Sequence, residues 1–279
     1  AGQGGQAEAA DERAQHDDRR DEQGRSLDPE HRSEAESQRE HPQGAEEQHT
    51  PAEQVGRGER AHPAQALEHA LQHDIDMCEK YKVPIQITSL RAPDEVVVSA
   101  HRYGCLVFHD VTNVTHAKRA LKAGVDGLIL VCAGAGGHAG RLSPFALVPE
   151  VRQFYDGTIL LSGSISNGAS VLAAQALGAD LAYLGTRFTA SKEGNATDAN
   201  KQCIIDSTGE EIVYTNLFTG VHGNYLRKSI VDAGLDPDDL PESDPSAMNF
   251  GSGGGSKSKA WKDIWGSGQG IGSVKAIKP

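Results

Sequence analysis

The segment Val125-Asp126-Gly127-Leu128-Ile129-Leu130-Val131, followed after two residues by Gly134-Ala135-Gly136-Gly137-His138-Ala139-Gly140, decides how this chain reads. An apolar run of that length fits a strand buried on both faces, as in a parallel sheet. Loops at the C-terminal ends of parallel strands are where α/β folds bind their ligands. Glycines there let the backbone approach a planar or phosphorylated ligand, because no Cβ intervenes. His138 is the one titratable side chain inside the loop, and an imidazole titrates near neutrality. The pattern fits a cofactor cradle with a general base attached. Taken alone, it fits a glycine-rich turn with a solvated histidine equally well.

Two later segments weigh on the first reading. Thr158–Ser162 is a short apolar strand running into Gly163-Ser164-Ile165-Ser166-Asn167-Gly168, after which Ala169–Leu177 has a helical pattern. Ala179–Leu184 reads as another strand and ends in Gly185-Thr186-Arg187-Phe188. Two successive strand-to-helix turns that offer backbone N–H groups and hydroxyls suit a phosphate dianion. In an eight-stranded (β/α)8 barrel the last two such loops are the usual phosphate site. Each motif is weak alone, and their order and spacing are what carry weight.

Together, Ala-Gly-Gly-His-Ala-Gly, Ser-Gly-Ser-Ile-Ser-Asn-Gly and Leu-Gly-Thr-Arg-Phe resemble the nitronate monooxygenases, formerly called 2-nitropropane dioxygenases. The likeness runs from about Leu67 to the C-terminus and is specific over Pro84–Phe188. It implies an FMN-dependent TIM barrel that oxidises alkyl nitronates with molecular oxygen to a carbonyl compound and nitrite. It also implies His138 as the catalytic residue at the flavin face, removing a proton from a nitroalkane or orienting the nitronate. Gly136 and Gly137 would meet FMN, Gly163 and Ser164 would form one phosphate turn, and Gly185 and Thr186 the other. Tyr183 stands where the family often has glutamine before Leu-Gly-Thr, and Val131 where it has glutamine at a strand end. Ser164 replaces the second glycine of the phosphate turn, keeping its N–H and adding a hydroxyl. Arg91, after Thr88-Ser89-Leu90, occupies a place where a small residue is expected, so it could obstruct or recharge the pocket. The FMN-dependent enoyl-acyl-carrier-protein reductases share these loops and are the nearest rival. A non-catalytic remnant is the rival of another kind.

Composition divides the chain. The 279 residues carry a net charge of −12, which argues against a nucleic-acid partner. Residues 1–63 contain no Phe, Trp, Tyr, Ile, Met, Cys or Lys, and Leu27 and Val55 are their only large aliphatics. Such a segment cannot bury enough apolar surface to offset its ordering entropy, so disorder is expected. A regulatory tail is one explanation. Text from a shifted reading frame or a wrong start in GC-rich DNA is the better one, because a barrel of this family would need three further βα units before Pro84 and no apolar strands stand upstream. His16, His31, His41, His49, His62, His69 and His73 lack zinc-ligand spacing, and no metal site is expected. Cys78, Cys105, Cys132 and Cys203 are scattered, without a C-x-x-C pair or a secretory segment, and read as reduced thiols of a cytoplasmic protein. Cys132 could touch the flavin, though a buried structural thiol fits it better. No apolar run is long enough to span a membrane. The expected partners are a nitroalkane or nitronate, oxygen, and a second copy in a homo-oligomer.

The expected architecture is α/β, a partial (β/α)8 TIM barrel of about five βα units, with a disordered N-terminal segment and a C-terminal helical extension. The boundaries fall at 1–63, 64–190 and 191–279. Five strands are predicted: Pro84–Ser89, Leu106–Val111, Val125–Val131, Thr158–Ser162 and Asp180–Gly185. Helices are predicted over Ala64–Lys82, Asp94–Arg102 and Asn113–Ala123, the last closed by Gly124. Past Phe188 the pattern predicts a helix over Asp198–Asp206, a strand outside the barrel at Glu211–Thr215 and a helix over Asn224–Ala233. Phe250–Ser258 reads as a loop, and Trp261–Trp265 as an anchor before a Gly-Gln-Gly element; the family resemblance implies that this element folds back toward the barrel mouth, and its composition fits a flexible linker equally well. His109 and His222 with Asn224 are further candidates to line the pocket.

Overall fold

A computed structural model describes residues 63–243 and 262–279. The expectations for residues 1–62, for Phe250–Ser258 and for Trp261 lie outside the described residues. The chain alternates as predicted: α1 (Pro63–Lys80), β1 (Ile85–Thr88), α2 (Asp94–Arg102), β2 (Leu106–Val111), α3 (Val114–Ala123) and β3 (Gly127–Val131). Then follow β4 (Gly137–His138), α4 (Pro144–Arg152), β5 (Thr158–Ser162), α5 (Gly168–Ala176), β6 (Leu181–Tyr183) and α6 (Thr186–Thr189). The C-terminal part adds α7 (Asp198–Asp206), β7 (Ile212–Thr215), β8 (Gly223–Leu226) and α8 (Arg227–Asp232).

Five strands form one sheet in the order β1-β2-β3-β5-β6, and every pairing is parallel. Sequential parallel order with a helix in each crossover is an arc of a (β/α)8 barrel. Side chains alternate between the two faces of this arc. Val107, Val111, Leu128, Leu130, Ile159 and Leu161 point outward and form the main core with α2, α3, α4 and α5. Phe108, Ile129 and Val131 point inward and meet Ala135 and Ala139 of the glycine loop. β3 is buried along its whole length, which explains its unbroken apolar run. The two edge strands leave Ile85, Ile87, Leu181 and Tyr183 exposed.

The register is pinned by a device used twice. Asp126 and Asp180 each follow a helix-ending Gly-x pair, and each carboxylate reaches sideways to a backbone amide of the neighbouring strand, Val107 N at 2.7 Å and Ile159 N at 2.8 Å. That amide, with Arg152 at 2.7 Å, holds the Asp180 carboxyl below its usual range. Helix starts follow capping chemistry: Asn113 accepts from His116 N, and Asn167 with Ser170 makes a reciprocal box. Gly124 closes α3 in the left-handed region at φ 91°.

One expected element is corrected. Asn224–Ala233 is not a single helix: Gly223–Leu226 is strand β8, and only Arg227–Asp232 is helical. The apolar spacing of Tyr225, Leu226 and Ile230 fits a helix locally. Pairing of β8 with both β7 and β4 makes a three-stranded antiparallel sheet instead, and that long-range ladder overrides the local pattern. The sheet ties the C-terminal part to the glycine loop, because Gly137 pairs with Asn224 and His138 with Gly223. Among the described residues, no helix is long and apolar enough to cross a membrane.

Candidate active site

Two cavities open at the C-terminal ends of the parallel strands, and the Gly134–His138 loop is the wall between them. The first, about 340 Å³, is lined by that loop, by the Ser162–Ser166 turn after β5, by Tyr183 at the end of β6, and by Gly185, Thr186 and Thr189. Gly136, Gly137, Gly163, Ser164, Tyr183, Gly185 and Thr186 all border this one space. The Gly-Gln-Gly element closes it from above. Gln269 N donates to Gly134 O at 3.0 Å, and Gly268 N donates to Thr186 Oγ1 at 2.9 Å. Trp265 lines the cavity as well.

The walls are backbone laid on backbone. A Cβ on Gly136 would stand 2.7 Å from Gly268 N, and one on Gly163 would stand 2.8 Å from Ala133 O. Gly163 has φ 135°, outside the range of other residues, and Ser164 follows at φ 56°, a left-handed position unusual for serine. Ser164 N donates to Gly134 O at 3.1 Å, which helps hold the strained turn. Gly185 differs in kind. Its φ of −111° suits any residue, and a Cβ there would meet nothing within 4 Å. The room left at Gly185 therefore answers to none of the described residues.

Among the described residues no charged side chain lines this cavity, so its anion-binding capacity rests on backbone amides and hydroxyls. Phe188 N makes the first intrahelical bond of α6, to Gly185 O at 2.9 Å, so the amides of Gly185, Thr186 and Arg187 precede the helical ladder. Amides, the Ser164 and Ser166 hydroxyls and open space at Gly185 fit a phosphate group. A flavin mononucleotide phosphate is compatible with this lining.

The second cavity, about 200 Å³, lies across the loop and is lined by His138 and Ala139, by Ser89 and Leu90, by His109 and Asp110, and by Val131 and Val221. His116 and Arg119 border it from α3. Leu90 takes φ 72°, a strained conformation at the rim. His138 Nε2 lies 2.9 Å from Thr219 Oγ1. Thr219, 2 % exposed, donates its hydroxyl proton to Val221 O at 3.1 Å. With that proton committed, Thr219 accepts from Nε2–H, which makes Nδ1 the basic nitrogen of a neutral His138. Burial lowers the His138 pKa, keeping the ring neutral near pH 7.

Several expectations fall elsewhere. Arg91 is exposed and borders neither cavity, and Leu90 occupies the rim position instead. His222 stacks on Tyr214 at 5.0 Å, and Asn224 is buried with its Nδ2 donating to Ala135 O at 2.7 Å, so neither faces the pocket. His109 borders the cavity while its Nδ1 lies 2.7 Å from Thr88 Oγ1. Cys132 is fully buried and faces the helices, its thiol pushed up to about 12 by desolvation. Among the described residues no cluster has metal-ligand geometry. Sequence reading missed Thr219, whose contact with His138 spans 81 residues, and Asp110 as a half-buried acid on the cavity wall.

A parallel barrel arc with cavities at the C-terminal strand ends, one of them lined by glycine backbone and hydroxyl groups, defines a (β/α)-barrel protein. The family profile described as nitronate monooxygenase matches residues 39–249. The chain belongs to the nitronate monooxygenase family. It is 30% identical over 157 residues to the "probable nitronate monooxygenase" of Staphylococcus aureus strain Newman, covering 52% of this chain and 44% of that protein. A Mycobacterium tuberculosis protein named provisionally as a monooxygenase is 30% identical over 173 residues, 62% of this chain and 44% of that one. The chain thus spans less than half the length of these curated relatives. Among solved structures, nitroalkane oxidase from Streptomyces ansochromogenes superposes with a TM-score of 0.58 at 23% identity, covering 75% of this chain and 63% of that chain. FabK from Thermotoga maritima gives the same TM-score at 23% identity, over 74% and 67%. Both share the fold.

Proposed function

We propose that this chain supports FMN-dependent oxidation of alkyl nitronates by molecular oxygen to a carbonyl compound and nitrite, in the cytoplasm. The observation that carries the reading is the shared wall: one loop lines an amide-rimmed cavity through Gly136 and Gly137 and presents His138 to a second cavity beside it. Gly163, Ser164, Gly185 and Thr186 would hold the FMN phosphate, with Gly136, Gly137 and Tyr183 along the remainder. Bound FMN would supply the redox chemistry between nitronate and oxygen.

The protein's own part is placement and proton transfer. The second cavity is walled by Leu90, Val131, Ala139 and Val221, which suits a short alkyl group. Neutral His138 turns Nδ1 to account as the base for the α-proton of a nitroalkane, while Thr219 fixes the ring through Nε2. Lowering of the His138 pKa by desolvation keeps the base form populated at neutral pH. Free cysteines, three of the four buried, agree with a reducing compartment.

The test is His138→Asn in the full chain supplied with FMN. Quenching of FMN fluorescence should show unchanged binding, while turnover of neutral nitroalkanes should fall about 10²–10⁴-fold, the usual share of a general base. Preformed nitronates need no proton removed and should suffer far less. Equal losses on both forms would overturn the assignment of His138 as base. Rapid anaerobic bleaching of bound FMN by NADH would favour an enoyl-thioester reductase over the oxidation proposed.

A further inference from the structure

The strand register places one carboxyl on the inner face of the arc. Ile85 pairs with Leu106, Ile87 with Phe108, Phe108 with Gly127, and Asp110 with Ile129, so these residues share the barrel interior. Asp110 closes that inner row at the C-terminal end of β2, facing the cavity that also receives His138. Its one hydrogen-bond partner of note is the Ser89 hydroxyl, which continues β1 beside it. Among the described residues no cation forms an ion pair with Asp110. The apolar part of the cavity wall, Leu90, Val131, Ala139 and Val221, cannot solvate a charge. A half-buried carboxyl on an apolar-walled cavity that it shares with the base, with no ion pair among the described residues, is costly in its ionised form.

We propose that Asp110 decides the charge of the molecule this cavity accepts: a neutral nitro compound enters freely, whereas an anionic nitronate binds only with a proton on Asp110, which then donates a hydrogen bond to a nitronate oxygen. The inference rests on the oxidation proposed above and adds the residue that separates the two substrate forms. The step is a protonation alone: the Asp110 carboxylate takes one proton from solvent as the anion enters, and no other bond changes. The carboxyl is already prepared for this, because desolvation pushes it up to about 6 while Ser89 opposes the rise. An anion a few ångströms away would push it further in the same direction. The other titratable or charged groups facing the cavity are His109 beside it on β2, His116 and Arg119 on α3, and His138 on β4. His138 is the competitor for the proton, so the test must separate the two.

Propionate and propionamide serve as probes, since one copies the planar two-oxygen anion of a nitronate and the other its neutral shape, and neither is oxidised. Calorimetry with the full chain and FMN, in buffers of different ionisation enthalpy, reads affinity and proton uptake together. Propionate should bind with uptake of a proton and weaken by about tenfold per pH unit above neutrality, as linkage requires. Propionamide should bind independently of pH. Asp110→Asn should abolish the uptake and flatten the propionate profile, while His138→Asn should leave both in place. Ser89→Ala, a smaller change, should move the onset of weakening to higher pH, because it removes the bond that favours the carboxylate. A flat propionate profile in the unaltered protein, uptake that survives Asp110→Asn, uptake lost with His138→Asn, or no binding of either probe would overturn the proposal. These readouts need no turnover. Failure of nitronate oxidation with the charge effect intact would instead count against the functional reading alone.

Discussion

Replacing Thr219 by valine tests whether the base is set by its partner. The Thr219 hydroxyl stands 2.9 Å from His138 Nε2, donates to Val221 O at 3.1 Å and accepts from Val221 N at 3.3 Å. Valine keeps the shape and deletes the acceptor. A hydrogen bond from imidazolium is worth about 1.5–3 kcal/mol and one from the neutral ring about 1 kcal/mol, so the charged form loses more. The difference, about 0.5–2 kcal/mol, lowers the His138 pKa further. This adds to the lowering that burial already imposes. The sign for stability follows: a histidine with a depressed folded pKa costs stability as pH falls through its unfolded value near 6.5, and the cost is absent well above it. Thr219→Val should therefore deepen the acid-side loss, and its stability deficit should be smaller at pH 8 than at pH 5. Nitrogen-15 NMR of the imidazole would follow the titration and would show the proton of the neutral ring on Nε2 rather than Nδ1 in the unaltered protein. Thr219→Ser should restore both. A proton found on Nδ1, or a His138 pKa that does not fall in Thr219→Val, would refute the reasoning.

Gly185→Leu should abolish FMN retention while leaving the melting temperature within a few degrees, because the side chain enters cavity space and meets no protein atom within 4 Å at its Cβ; a yellow, stoichiometric protein would remove this loop from the cofactor site. Leu130→Ala, at a fully buried position of β3, should cost about 2–5 kcal/mol in denaturant unfolding, and a loss under 1 kcal/mol would deny it the central place in the core. Asn167→Ala should cost about 1 kcal/mol through loss of the α5 capping box, read in the same assay.

Much of the arc was written in local pattern. The five parallel strands lie within two residues of where apolar runs and glycine turns place them, and burial on both faces demands the unbroken apolar sequence of β3. Cap residues such as Asn113, Gly124 and Asn167 marked helix ends through hydrogen bonds that reach only three or four residues. The glycine turns were visible too, since an unusual φ at Gly163 leaves a compositional trace.

What tertiary structure alone decided involves partners far apart in the chain. Gly223–Leu226 became a strand because β4 and β7 offered backbone groups on either side, a reward that no window around Asn224 contains. Thr219 became the partner of His138 through that same sheet, 81 residues away. Asp110 reads in sequence as the polar end of a strand. Only the register beside Ser89 and Ile129 turns it inward to a cavity where its charge is expensive. Local sequence specifies elements because propensities, caps and periodicities act over a few residues. Protonation states and pocket linings depend on desolvation by distant segments, and those are assembled only when the chain folds.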